Sequence, residues 1–110
     1  VVGSNPRKDY YHNISKKLGL TQNIEYIGVV QNKDIYEYYQ KSDVFILPSR
    51  YDGWGAVINE AISVGLPVIS SSETGASYSL VKNNGFVFKA GDINALSDAM
   101  KKYINNKELI

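Results

Sequence analysis

The chain has 110 residues, no cysteine and a formal net charge of +1 at pH 7. That length fits one domain, and a hydrophobic share of 44% suffices for an ordinary core. The near balance of 12 basic and 11 acidic residues gives no electrostatic ground for nucleic-acid binding, and the lack of cysteine excludes a disulfide framework or a thiolate metal site.

The order of the predicted elements indicates an α/β domain. Strands are predicted at 1–3 (the end of a truncated strand), 24–28, 44–47, 67–70 and 86–88. Helices are predicted at 7–18, 32–41, 54–64 and 76–81, followed by a last helix that Asp92 caps and that turns inward Ile93, Leu96, Met100, Tyr103 and Ile104. Since no two strands are joined by a two-residue hairpin turn, we expect a parallel sheet with right-handed crossovers.

The segment 44–70 has the pattern of a strand, a glycine-bearing loop and a helix. Its helix is almost wholly apolar and is predicted to be buried rather than amphipathic. Gly53 and Gly55 allow backbone to approach a ligand closely, and the unpaired N–H groups of Gly55, Ala56 and Val57 suit a phosphate or a sugar hydroxyl. A plain strand-to-helix turn explains the same loop equally well.

Two carboxylates of this segment are candidates for ligand contact. Glu60 lies in the apolar helix on the same face as Ala56, so it either faces a ligand or bonds to a neighbouring backbone group or lysine. Asp52 lies in the loop beyond a strand's carboxyl end, where it either accepts hydrogen bonds from sugar hydroxyls or caps the helix. His12, the only histidine, is expected at the surface, and no metal-ligand spacing is present in the sequence.

The run PSRYDGWGAVINEAISVGLPVIS resembles the signature of retaining nucleotide-sugar glycosyltransferases with the GT-B fold. That group includes capsule, lipopolysaccharide and glycogen-synthase-type enzymes. The flanking runs YIGVV, YYQKSDVFILPS and NNGFVFKAGD match the family as well, so the resemblance covers about residues 1–103. It implies a three-layer Rossmann-like α/β domain with a parallel sheet, one half of a GT-B fold, that binds the sugar donor over residues 1–110.

The resemblance also implies roles for particular residues. The family's two acidic positions, separated by seven residues, fall on Asp52 and Glu60, although Asp52 is one methylene shorter than the usual Glu. Asp52 would hold the hydroxyls of the donor sugar, Glu60 those of the ribose, and the backbone near Val29 would lie by the base. The residues facing the sugar and the diphosphate would be Gly53, Trp54, Gly55, Ala56 and Val57.

The resemblance implies that this chain is most of the C-terminal, donor-binding half of a hexosyl-type transferase in polysaccharide biosynthesis. A separate N-terminal Rossmann-like domain would carry the acceptor site and a catalytic-region histidine, so the chain alone would not complete a transfer. The nucleotide-diphosphate sugar is the substrate, and no cofactor, metal or nucleic acid is implied. The expected location is cytoplasmic, and the resemblance allows peripheral membrane association through the other domain. A nucleotide-sugar epimerase of the same fold and a non-catalytic nucleotide-binding α/β domain remain as alternatives.

Overall fold

The computed structural model describes residues 1–4, 6–50, 56–75 and 81–109. The chain divides into two compact units, Val1–Ile35 and Tyr36–Ile110. The helices are α1 (Lys8–Lys17), α2 (Asn32–Lys41), α3 (Ala56–Ser63) and α4 (Ile93–Asn105), with a 3-10 turn at Lys107–Leu109; the strands are β1 (Phe45–Leu47), β2 (Val68–Ser71) and β3 (Gly85–Phe88). Of the helix predicted at 76–81, all but the last residue lies outside the described residues.

The first unit contains α1, which Gly19 ends by adopting a positive φ of 68°. The strand predicted at 24–28 is wrong: within the described part of this unit, the pairing is one isolated parallel bridge between Val2 and Gly28. The β-branched and aromatic residues of 24–28 supply β propensity, but a strand also needs a partner paired along its length, and the described pairing is limited to the bridge at Gly28.

The second unit contains a three-stranded parallel sheet in the order β1–β2–β3. In register, Phe45 pairs with Val68 and Val68 pairs with Gly85. All four residues of β2 are buried, as expected for a central parallel strand covered on both faces. The predicted α/β class with a parallel sheet is therefore confirmed.

Alternation of side chains along the strands places helices on both faces of this sheet. On one face, Ile69 belongs to a buried cluster with Ala99 and Tyr103 of α4. On the other face, the ring of Phe45 packs edge-on against Tyr39 of α2, and α3 packs on β1 and β2. The second unit thus has three layers: α2 with α3, the sheet, and α4.

Local sequence explains where the helices of this unit stop and start. Gly65 follows α3 with φ 83°, and the N–H of Leu66 donates to the carbonyl of Ala61 at 3.1 Å, as in a Schellman motif. Asp92 caps α4 as predicted, because its Oδ1 accepts a hydrogen bond from the N–H of Ala95 at 3.0 Å.

The predicted inward face of α4 is only partly correct. Ile93, Met100 and Ile104 are exposed by 79%, 40% and 67%, and Ala99 joins the buried core. The reason is that α4 packs on β2 and β3 only along part of its length. The rest of its apolar stripe is therefore not covered by the sheet. Met100 and Ile104 instead border a cavity of about 620 Å³ that Ile46 also lines.

Candidate functional site

A buried polar cluster lies where the parallel strands β1 and β2 end. Ser71 ends β2, and its Oγ donates a hydrogen bond to the carbonyl of Ser49, which follows β1. Ser70, Ser71 and Thr74 are fully buried, and Ser71 Oγ lies 3.5 Å from Thr74 Oγ1. Because buried hydroxyls are stable only when bonded, the cluster ties together the segments that follow the two strands. Open α/β sheets bind ligands at this edge.

Helix α3 carries the carboxylate that the sequence analysis singled out. Glu60 is half-buried, and its Oε2 accepts a hydrogen bond of 2.8 Å from the hydroxyl of Tyr39. Among the described residues the partner is therefore a tyrosine of α2, and not the backbone group or lysine considered from the sequence. This bond explains how an apolar helix accommodates a carboxylate.

The prediction that α3 is buried on all sides is wrong. Ile58 and Ala61 are fully buried, but Ala56, Asn59 and Ser63 are exposed. The helix packs on one face of the sheet, so only its inner side is covered. The available sequence signal was the pair of polar residues Asn59 and Ser63, which are four residues apart and lie on the outer side.

Tyr39 is held on several sides. It is only 5% exposed, and its ring makes edge-on contacts with Phe45 and Tyr36, with centroid distances of 5.8 and 5.7 Å. Burial, and next the hydrogen bond to Glu60, raise the pKa of Tyr39 above that of a free tyrosine. The hydroxyl therefore stays protonated and keeps donating to Glu60.

The other predicted site residues fall in three places. Ala56 and Val57 form the first turn of α3, so Glu60 lies on their side of the helix, three and four residues along. Val29 belongs to the first unit and is 80% exposed. The loop residues Asp52, Gly53, Trp54 and Gly55 lie outside the described residues.

Tyr39 is the site residue that sequence reasoning missed. Its position in the sequence fits the apolar face of a helix, which indicates packing and no contact with a carboxylate. The available signal was Glu60 itself, because a carboxylate in an apolar helix requires a buried donor. A hydroxyl 21 residues away cannot be chosen from local spacing alone.

Two absences hold for the described residues alone. No cluster of three or more histidine, aspartate or glutamate side chains there could hold a metal ion. In the same part of the chain, every helix is too short or too polar to cross a bilayer.

The three-layer parallel sheet and the polar groups at its carboxyl edge define a Rossmann-like α/β domain. Comparison with known proteins specifies the family. The model of the family "Glycosyl transferases group 1" matches residues 1–109, and the chain belongs to that family.

Individual proteins show the same relationship. An uncharacterized glycosyltransferase of Haemophilus influenzae is 30% identical over an alignment of 111 positions, which covers 99% of this chain and 31% of that protein. The capsular polysaccharide biosynthesis glycosyltransferase CapM of Staphylococcus aureus is 33% identical over 96 residues, covering 86% of this chain and 25% of CapM. Anabaena Alr3699/HepE, crystallised with UDP-glucose, superposes with a TM-score of 0.84 at 25% identity over 98% of this chain and 31% of its own. The chain thus spans a quarter to a third of the length of these proteins.

Proposed function

We propose that the chain is the donor-binding part of a glycosyltransferase that moves a hexosyl group from a nucleotide-diphosphate sugar to an acceptor, with retention, during polysaccharide or lipopolysaccharide synthesis. Family membership supports the class of reaction. HepE, whose structure contains UDP-glucose, supports a uridine nucleotide as the first donor to test.

The observation that carries the proposal is the half-buried, hydrogen-bonded carboxylate of Glu60 in an apolar helix. An ionised carboxylate has about four lone-pair sites, so one bond from Tyr39 leaves capacity for two ribose hydroxyls. Hydrogen bonds to a charged acceptor are roughly twice as strong as neutral ones. Glu60 is therefore suited to accept hydrogen bonds from the ribose hydroxyls of the nucleotide.

The rest of the donor is assigned to the start of α3 and the loop before it. The unpaired N–H groups at a helix start suit the diphosphate, and this role falls on Ala56 and Val57 together with Gly53, Trp54 and Gly55. Asp52 would accept hydrogen bonds from the sugar hydroxyls, and Val29 would lie near the base. Helix N–H groups would also stabilise charge that develops on the leaving diphosphate.

Calorimetric titration of the protein with UDP and with 2′-deoxy-UDP tests the role of Glu60. Wild-type protein should bind UDP more tightly than the deoxy analogue. Glu60→Gln keeps the size of the side chain but removes its charge, so it should weaken UDP binding by about tenfold and shrink the preference for ribose. Glu108→Gln, an exposed change of the same type, is the matched control and should leave both affinities unchanged.

The proposal fails if neither UDP nor any other nucleoside diphosphate or its sugars binds at millimolar concentration, or if Glu60→Gln leaves the ribose preference intact. Transfer is separated from epimerisation by incubating the whole two-domain protein, which supplies the acceptor site, with UDP-glucose and a glycan acceptor. A glycosylated acceptor with the donor's anomeric configuration supports the transferase, whereas an epimerised nucleotide sugar without acceptor modification contradicts it.

A further inference from the structure

The hydrogen bond between Tyr39 and Glu60 joins two helices that both pack on the same face of the sheet. Tyr39 lies on α2 and Glu60 on α3, and the hydroxyl-to-Oε2 distance is 2.8 Å. The contact joins residues 21 apart in the sequence, so it comes from the packing of the two helices and not from local structure. Within the described residues, it is the tertiary hydrogen bond that holds the carboxylate of Glu60.

The donor in this pair is fixed, whereas the acceptor is flexible by nature. Rings of Phe45 and Tyr36 contact Tyr39 edge-on, and only 5% of Tyr39 is exposed, so its hydroxyl has one location. A glutamate side chain has three rotatable bonds, and ordering such a side chain on binding costs affinity. A fixed hydroxyl that holds Oε2 removes much of that cost before the ligand arrives.

We infer that Tyr39 is a positioning residue that sets the orientation of the Glu60 carboxylate for the ribose of the nucleotide. This inference rests on the proposed function, since it concerns the same carboxylate. The hydroxyl of Tyr39 does not touch the ligand; it uses one acceptor site of Glu60 and leaves the remaining sites oriented for the two ribose hydroxyls.

The test removes the hydroxyl and keeps the ring. Tyr39→Phe preserves the packing against Phe45 and Tyr36, and it should weaken UDP binding by about three- to tenfold. Binding of 2′-deoxy-UDP should change less, so that the ribose preference falls. Tyr38→Phe, an exposed tyrosine on the same helix, is the control and should bind both ligands as the wild type does.

A double-mutant cycle separates positioning from a purely structural role. In the Glu60→Gln background, Tyr39→Phe should have little further effect on UDP affinity, because the oriented charge is already gone. A structural role would instead lower the melting temperature and affect UDP and 2′-deoxy-UDP equally. That pattern, or an unchanged ribose preference in Tyr39→Phe, would overturn the inference.

The two ideas fail in different ways. If Glu60→Gln loses the ribose preference while Tyr39→Phe retains it, the proposed function stands and the positioning role falls. If wild-type protein shows no ribose preference at all, the assigned role of Glu60 fails, and the role of Tyr39 fails with it.

Discussion

Replacing Gly85 by alanine should break the pairing of β2 with β3. Gly85 stands opposite Val68 in the register of the two strands. A Cβ at Gly85 would lie 1.8 Å from the carbonyl oxygen of Val68 and 2.7 Å from its carbonyl carbon, whereas an ordinary contact is at least 3.4 Å. Both atoms are backbone, so no side chain can turn aside, and the strands would have to separate by about 1.6 Å at this point.

The expected cost follows from what the separation breaks. The N–H of Val68 donates to the carbonyl of Asn84 at 2.9 Å, and Val68 is fully buried, so water cannot replace a lost partner. An unsatisfied buried backbone group costs about 1–3 kcal/mol, and forced overpacking adds about 1–3 kcal/mol. Alanine also makes the unfolded chain less flexible than glycine does, which offsets less than about 1 kcal/mol of this loss. We expect a net loss of about 3 kcal/mol and a fall in Tm of roughly 10–15 °C.

Urea denaturation followed by circular dichroism measures the loss. Val87→Ala is the matched control, because it places alanine in the same strand at a position that is 43% exposed, and it should cost less than about 1 kcal/mol. A Gly85→Ala protein whose free energy of unfolding lies within about 0.5 kcal/mol of the wild type would refute the steric reasoning.

Three further predictions concern single side chains. Asp92→Ala removes the cap of α4 and should destabilise the protein by about 1 kcal/mol in denaturant titration, whereas Asp98→Ala, in the exposed middle of that helix, should not. Ser71→Ala leaves the carbonyl of Ser49 without its hydroxyl donor and should cost about 1–2 kcal/mol in the same assay; an unchanged midpoint would contradict this. Burial raises the pKa of Tyr39 and Tyr103, so above about pH 10 the unfolded chain loses these protons first. The free energy of unfolding should therefore keep the full contribution of these two tyrosines below about pH 10 and decrease above it, less steeply in Tyr39→Phe. An equal decrease with pH in that variant would argue against the raised pKa of Tyr39.

Local chemistry was the part of this fold that the sequence predicted well. Helix α2 occupies the predicted residues, and Asp92 makes the predicted cap. Each depends on residues within one turn of one another, so the information lies in the neighbouring letters.

The sequence could not predict the features that depend on how the helices pack against the sheet and against each other. The apolar stripe of α4 is present, but periodicity shows only that Ile93 and Ile104 share its apolar side, not that the sheet stops short of them. The bond between Tyr39 and Glu60 likewise depends on how α2 and α3 cross. Of the candidate site, Glu60 could be selected from its apolar surroundings, whereas its partner required the packed helices. The assigned ligand contacts of Asp52, Glu60 and Val29 stay predictions.

The link from Ser71 to Ser49 has a consequence for engineering. It fixes the chain just before residue 50, and the buried residues Ile58 and Ala61 fix the helix that starts at Ala56. The residues on either side of the stretch 50–55 are thus held by the sheet and the core. Single substitutions within 51–55 can therefore be compared for ligand binding while the described contacts on either side of the stretch stay the same.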